Sequence, residues 1–205
     1  MDQRLRAGLA VYNAGEYHAA HDAWEAHWLD LETGTADERL LHGLIQYTAA
    51  VHHATNRNWA GAVGLAESGS AYLAEVPADY RGVDVARARE YLGLLAADPE
   101  RIERAPAWPL AIDGDVISVG ELSAAELGIA AATVAEDYGF EVSVCERAAE
   151  RLAEGTTENE GRFRALLADL VTSGASRGIV LQRLAEHLER EEARDRDVEG
   201  LFEGS

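Results

Sequence analysis

Four polar residues in the first third of the chain recur at helical spacing and could act together: His21, Glu25, Gln46 and His53. The first two are four residues apart and the last two are seven apart, so each pair would occupy one face of a helix. If the two helices form an antiparallel hairpin, these faces meet in one cluster. Histidine and carboxylate side chains bind Zn²⁺, Mn²⁺ or Fe²⁺, and they also serve in general acid–base catalysis.

Two interpretations of this cluster remain open. We favour a structural one, in which the four side chains form a buried hydrogen-bonded network that locks the hairpin, because such networks specify cores more often than they bind metal. The chain would then be an interaction or scaffold module that binds a protein partner or a second copy of itself. The alternative is a metal-binding protein or metal-dependent hydrolase whose ligands are His21, Glu25 and His53. No small-molecule ligand or reaction can be named.

The remaining candidates for chemistry are weaker. His18 and His52 are predicted to point away from the cluster, and His187 is expected to be a solvated helix residue. Arg177 and Arg183 are interpreted as members of surface ion pairs, which contribute little to stability. The sequence contains no P-loop, dinucleotide-binding fingerprint, nucleophile elbow or CxxC motif.

The composition is strongly acidic. There are 37 acidic residues against 18 basic ones, for a formal net charge of -19, and every basic residue is arginine. Such a surface repels nucleic-acid phosphates and anionic lipids, so neither is an expected partner. It is typical of proteins adapted to molar salt, in which a Debye length of about 3 Å removes most of the self-repulsion. We therefore predict a halophilic origin.

The compartment can also be predicted. Cys145 is the only cysteine, so an intrachain disulfide and a cysteine-rich zinc site are both excluded. The N-terminus has no apolar signal region, and no segment approaches the ~18 apolar residues of a membrane span. These features predict a cytoplasmic protein that does not associate with membranes.

The elements that must position the cluster are predicted to be helices. Apolar residues recur at three- and four-residue steps along most of the chain, which predicts an all-α fold. We divide the chain into a compact antiparallel helical module (1–77), a linker with a helix, a loop and one short β-hairpin (78–122), and a C-terminal helical segment with an acidic tail (123–205). The hairpin is placed around Asp113-Gly114, since Asp-Gly fits a tight primed turn.

Local signals set the predicted helix ends. Thr35, Ser123 and Thr157 are each followed three residues later by glutamate, which predicts a capping box. Gly15, among other glycines, is predicted to end a helix. The tail from residue 195 to residue 205 is expected to lie outside the last helix.

The cluster lies within a longer pattern. The run Tyr12–Trp28 resembles the signature of the domain of unknown function 309 family, an aromatic-Asn-x-Gly-x-aromatic stretch followed by His-Glu-x-x-Glu-x-x-Trp. The run Leu41–Gln46 resembles its Gly-Leu-Ile-Gln element, and His53, Asn58 and Gly61 resemble its His…Gly-Asn…Gly-Ala element. The matching positions are Asn13, Gly15, His21, Glu25, Trp28, Gly43, Gln46, His53 and Asn58.

The resemblance covers residues 5–73 and implies an all-helical fold without an established activity. Five matching positions are expected to have structural roles: Asn13, Gly15, Trp28, Gly43 and Asn58. The second half of the chain resembles an extension found with haloarchaeal members of the family.

The sequence departs from the family pattern at three positions. Asp22 stands where the family usually has glutamate, His42 where glutamine is common, and Arg57 where glycine is common.

Overall fold

The computed structural model describes residues 2–155 and 160–203, with side chains described as far as Arg196. Within these residues the chain is predominantly α-helical and contains one short antiparallel hairpin. The predicted all-α fold with a short hairpin in the linker is therefore confirmed. The helices are α1 (Asp2–Asn13), α2 (Tyr17–Leu29), α3 (Ala36–Thr55), α4 (Trp59–Ala74), α5 (Val85–Ala97), α6 (Ala124–Asp137), α7 (Val142–Glu154), α8 (Glu160–Thr172) and α9 (Arg177–Glu203), and the strands are β1 (Asp79–Tyr80) and β2 (Val83–Asp84).

The chain divides into two compact units, Met1–Leu122 and Ser123–Ser205. In the first unit, α1 to α5 pack successively, and α3 and α4 have the most extensive contact. In the second, α6, α7, α8 and α9 pack around an apolar core of their own. Whether residues 1–77 fold by themselves stays a prediction.

The close packing of α3 on α4 depends on Gly43. A Cβ atom at that position would lie 2.5 Å from Cγ of Leu73, which is much closer than van der Waals contact. Glycine therefore allows the two helices to approach each other, and Leu73 fills the space where a larger residue would have its side chain. This close approach fixes the position of α3, which carries half of the predicted polar cluster.

The two-residue turn at Asp113-Gly114 forms as predicted, but the paired strands lie elsewhere. Asp113 and Gly114 have φ values of 54° and 86°, as a primed turn requires, yet Ile112 forms only isolated bridges with Val83 and Asp115. The hairpin consists of β1 and β2, joined by a similar turn at Arg81-Gly82.

The side chain of Asn13 explains why pairing does not extend from Asp113-Gly114. Its amide donates to the carbonyl oxygens of Leu110 and Ile117 at 3.0 and 3.1 Å, and its Oδ1 accepts from the Leu110 N–H at 2.9 Å. The backbone groups that would form a longer ladder are thus bonded to α1. The prediction that the hairpin surrounds Asp113-Gly114 is therefore wrong.

Two predictions for helix ends concern the second unit. Ser123 and Glu126 form the expected reciprocal capping box at the start of α6. The prediction that the tail leaves the helix at Asp195 is wrong, because α9 continues to Glu203. Asp195 is held by an ion pair to Arg151 of α7, with 2.6 Å between Oδ2 and Nη2. Thr157 lies outside the described residues. No helix among residues 2–155 and 160–203 is long and apolar enough to cross a membrane.

Candidate functional site

A small groove between α2 and α3 contains most of the chemistry-bearing residues of the first unit. It has a volume of about 160 Å³ and is lined by four histidines and Ala49. The ring centroids of His18 and His21 are 6.2 Å apart, and those of His18 and His52 are 5.2 Å apart. His53, which follows His52 on α3, completes the lining. The antiparallel hairpin thus brings His21 and His53 to one groove.

The helix α2 presents a polar stripe because its opposite face is filled by the core. Small residues and Trp24 are buried on that opposite face. His18, His21, Asp22 and Glu25 have the spacing i, i+3, i+4 and i+7, so they lie together on the other side. The stripe borders the groove, and it supplies both imidazole and carboxylate groups.

The three residues His21, Asp22 and Glu25 form a compact cluster on α2. Each offers one ligand atom, and the three atoms lie within 4.8 Å of one another. The Nδ1 atom of His21 is 2.8 Å from Oδ1 of Asp22, and this hydrogen bond raises the pKa of His21, although partial burial acts in the opposite direction. The side chains of His21 and Asp22 are 27% and 31% exposed, so solvent and ions have access to them.

His53 is held in a particular tautomer by Asn58. The Oδ1 atom of Asn58 accepts the Gly61 N–H at 3.1 Å and caps α4, so its amide nitrogen faces His53. That nitrogen donates to Nδ1 of His53 over 2.6 Å. With Nδ1 accepting, the neutral ring carries its proton on Nε2. In this tautomer the Nε2–H of His53 is a hydrogen-bond donor, and the role of His53 as a metal ligand stays a prediction.

The four residues of the predicted cluster do not form one sealed network. Glu25 is exposed, and His21, Gln46 and His53 are half-buried. Gln46 lies against α4, where its Cβ atom is 3.0 Å from the position of a Cβ on Gly69, and it is not part of the groove lining. The reason is that the inward faces of α2 and α3 are occupied by apolar residues, which leaves the polar stripes at the edge of the hairpin.

The motif residue Trp28 and its neighbours hold the α2–α3 connection. Glu38 is 8% exposed and accepts the Nε1–H of Trp28 at 3.0 Å and the N–H of Gly34 at 3.2 Å. The ring of His42 stacks on Tyr72 of α4, with 3.7 Å between centroids, and its centroid is 4.4 Å from that of Trp28. Trp28 is thus part of a polar and aromatic clamp that is separate from the groove.

Gly15 serves the turn between α1 and α2. Its φ of 90° lies in the left-handed region, which glycine adopts without strain. A side chain there would meet no atom within 4 Å, so the requirement is conformational and not steric.

Sequence reasoning missed three contributors to the site: His18, Asp22 and His52. The i, i+4 spacing of His18 and Asp22 along α2 was a usable signal, since it puts both residues on the stripe with His21. The contribution of His52 depends on how α3 is rotated against α2, which spacing within one helix does not determine.

Arg177, which was interpreted as a surface residue, is buried. It donates from Nε to the Leu170 carbonyl oxygen and from Nη2 to that of Val171, both at 2.9 Å. Its guanidinium lies 4.2 Å from the ring centroid of Tyr138. Arg177 therefore caps the C-terminal end of α8, where the carbonyl groups lack helical partners.

Comparison with known proteins identifies the groove-forming segment. No curated protein matches the chain. Residues 5–65 match the model of a family described as Domain of unknown function (DUF309). The matched range includes α1 from Leu5 onward, α2, α3 and the start of α4, and therefore all the residues that line the groove. The segment from residue 5 to residue 65, with the groove that it forms, is therefore similar to the domain of unknown function 309 family.

Proposed function

We propose that the first unit binds a divalent cation at the edge of the groove, with His21, Asp22 and Glu25 as ligands. The observation that carries the proposal is the convergence of three ligand atoms within 4.8 Å beside a groove lined by histidines. Metal–ligand distances of about 2.0–2.2 Å put neighbouring ligand atoms roughly 3–4 Å apart, so small side-chain rotations would bring the three ligand atoms to these separations.

The ligand types favour Zn²⁺, Mn²⁺ or Fe²⁺. One imidazole and two carboxylates form a mixed nitrogen and oxygen set, which these ions accept and which contains no thiolate. Three ligands from one turn of a helix leave coordination positions open on the far side of the ion. An exogenous ligand or a water molecule could occupy them, as in catalytic metal sites, so a metal-dependent hydrolase is the enzymatic form of this proposal.

His53 takes a different role in this proposal from the one predicted from the sequence. Its Nε2–H would donate to a ligand in the groove, while Asn58 holds the ring in place. The set His21, Glu25 and His53 is therefore replaced by a set from α2 alone, with His53 as a positioning donor.

The interaction or scaffold module is the second candidate. The observation that favours it is the clamp formed by Trp28, Glu38 and His42, because it gives the motif residue Trp28 structural contacts away from the groove. In that case a protein partner or a second copy of the chain would bind the helical surface. We further propose, from the acidic composition, a cytoplasmic protein of a halophile, with haloarchaea as the expected source.

Metal content of the full chain, purified without an affinity tag, tests the cation site. We expect close to one Zn²⁺, Mn²⁺ or Fe²⁺ per chain after loading and dialysis, and a melting temperature that falls on addition of a chelator, since a ligand of the folded state stabilises by mass action. Glu25→Gln should abolish stoichiometric loading, because it removes one of the two carboxylates.

Glu67→Gln is the matched control, since Glu67 is an exposed glutamate on α4 and the substitution changes the net charge equally. It should load metal like the wild type. Wild-type protein that retains no ion and melts at the same temperature with and without chelator would contradict the cation site and leave the scaffold module.

A further inference from the structure

A second pocket lies wholly within the second unit, between α8 and α9. It has a volume of about 450 Å³, and its lining is Arg162, His187, Arg190, Glu191 and Arg194. That volume is within the range of about 300–1,000 Å³ found for small-molecule sites. Three guanidinium groups and one carboxylate give it a positive charge, in a chain whose net charge is -19.

His187 is the buried polar group of this pocket. It is only 5% exposed, which corrects the expectation of a solvated residue, and its ring packs on Phe163 with 4.6 Å between centroids. Its Nε2 atom is buried and has no hydrogen-bond partner among the residues that the structure describes. Buried polar atoms of native proteins are almost always hydrogen-bonded, so we expect this nitrogen to bind a partner from outside the chain.

The arginines are available to such a partner. Glu191 lies 3.1 Å from Nη1 of Arg194, which satisfies part of that guanidinium. Among the described residues, no carboxylate forms an ion pair or hydrogen bond with Arg162 or Arg190. Two exposed guanidinium groups without carboxylate partners, beside a buried imidazole nitrogen, form a set of donors directed at an anion.

We propose that this pocket binds the phosphate group of a small phosphorylated molecule, with Arg162, Arg190 and Arg194 contacting the phosphate oxygens and His187 donating from Nε2 to one of them. Arginine matches phosphate geometry by bidentate hydrogen bonding. A phosphate monoester carries a charge of about -1.5 to -2 near neutral pH, which complements the pocket. A polyanion such as a nucleic acid fits poorly, because the rest of this acidic chain repels it.

Calorimetric titration of the full chain tests the proposal, with glycerol phosphate as the monoester and inorganic phosphate in a parallel titration, at fixed ionic strength in potassium acetate. We expect saturable binding of one monoester per chain. Arg190→Gln and Arg162→Gln should each weaken it at least about tenfold, since each removes a charged hydrogen-bonding group. His187→Leu should also weaken it while leaving the protein folded, because leucine preserves the contact with Phe163.

Arg147→Gln is the matched control. Arg147 pairs with Glu192 at another site of the second unit, and the substitution changes the net charge equally. Its monoester affinity should stay within about twofold of the wild-type affinity, which corresponds to less than 0.5 kcal/mol. Equal weakening by Arg147→Gln and Arg190→Gln, or no saturable binding by the wild type, would overturn the proposal. Tighter binding of the monoester supports a phosphorylated organic molecule, and tighter binding of inorganic phosphate contradicts it.

Discussion

Replacement of Glu38 by alanine should destabilise the first unit more than any other single carboxylate change near the α2–α3 turn. Glu38 is buried and accepts hydrogen bonds from the Trp28 indole and the Gly34 backbone. Burial would raise the pKa of its carboxyl group, but the hydrogen bonds from Trp28 and Gly34, together with the nearby imidazole of His42, lower it. The carboxylate is therefore ionised in the folded protein, and both of its bonds are charge-assisted.

The expected loss in free energy of unfolding depends on whether each of the two N–H donors finds another acceptor. The indole N–H of half-buried Trp28 loses its acceptor, which costs about 1.5–3 kcal/mol for a bond to a charged group. The N–H of Gly34 is at an exposed residue and can bond to water instead, so its loss adds only a few tenths. We expect a total of about 2–3 kcal/mol, equivalent to a fall of roughly 4–12 °C in melting temperature for a chain of this size.

Urea unfolding followed by tryptophan fluorescence measures this effect, because Trp28 reports on its own environment. Glu32→Ala is the matched control: it removes an exposed glutamate from the same connection and changes the net charge equally. We expect it to change the free energy of unfolding by less than about 0.5 kcal/mol. A Glu38→Ala variant as stable as Glu32→Ala would refute the clamp, and with it the structural role assigned to Trp28.

Three further predictions concern packing, pH and salt. Gly43→Ala should destabilise the first unit by about 1–3 kcal/mol in thermal melts, because its Cβ would lie 2.5 Å from the side chain of Leu73. In the same melts Gly64→Ala should be neutral or stabilising, since a Cβ at this position of α4 would meet no atom within 4 Å. Burial lowers the pKa of His187, with the pocket arginines acting in the same direction and Glu191 in the opposite one, so the unfolded chain binds the proton more readily. The contribution of His187 to stability is therefore complete above pH about 6.5 and is lost as the pH falls through the lower folded-state value. In thermal melts, His187→Leu should flatten that profile between about pH 5 and 7. The melting temperature should rise steeply from dilute buffer to molar KCl as carboxylate repulsion is screened, and equal values at about 0.1 M and 2 M would contradict a halophilic origin.

Helix ends were predictable because their signals are local. The left-handed residue Gly15 and the capping box of Ser123 and Glu126 each act within four residues of the helix end that they specify. The hairpin was not predictable in the same way. The turns at Arg81-Gly82 and Asp113-Gly114 have the same backbone signal, and Asn13, nearly one hundred residues away, determines which one lies between paired strands.

In the candidate sites, too, local signals predicted only the part of the arrangement that lies within one helix. The spacing of His21 and Glu25 indicated a shared face of α2, and the structure adds Asp22 and His18 on that face. The role of His53 depends on a hydrogen bond from Asn58 across the α3–α4 turn, which helical periodicity does not describe. The burial of His187 results from Phe163 of another helix, so the sequence around His187 contains no sign of it.

The hydrogen bonds of Asn13 also order events during folding. They join residues 97 and 104 positions apart along the chain, whereas the helical hairpins of α1 to α4 form from neighbouring segments. Local contacts form early, and contacts that close long loops form later because of their entropic cost. On a translating ribosome, we therefore expect α1 to α4 to pack while the amide of Asn13 still faces solvent. The hydrogen bonds of Asn13 can form only after residues 110–117 have emerged from the exit tunnel.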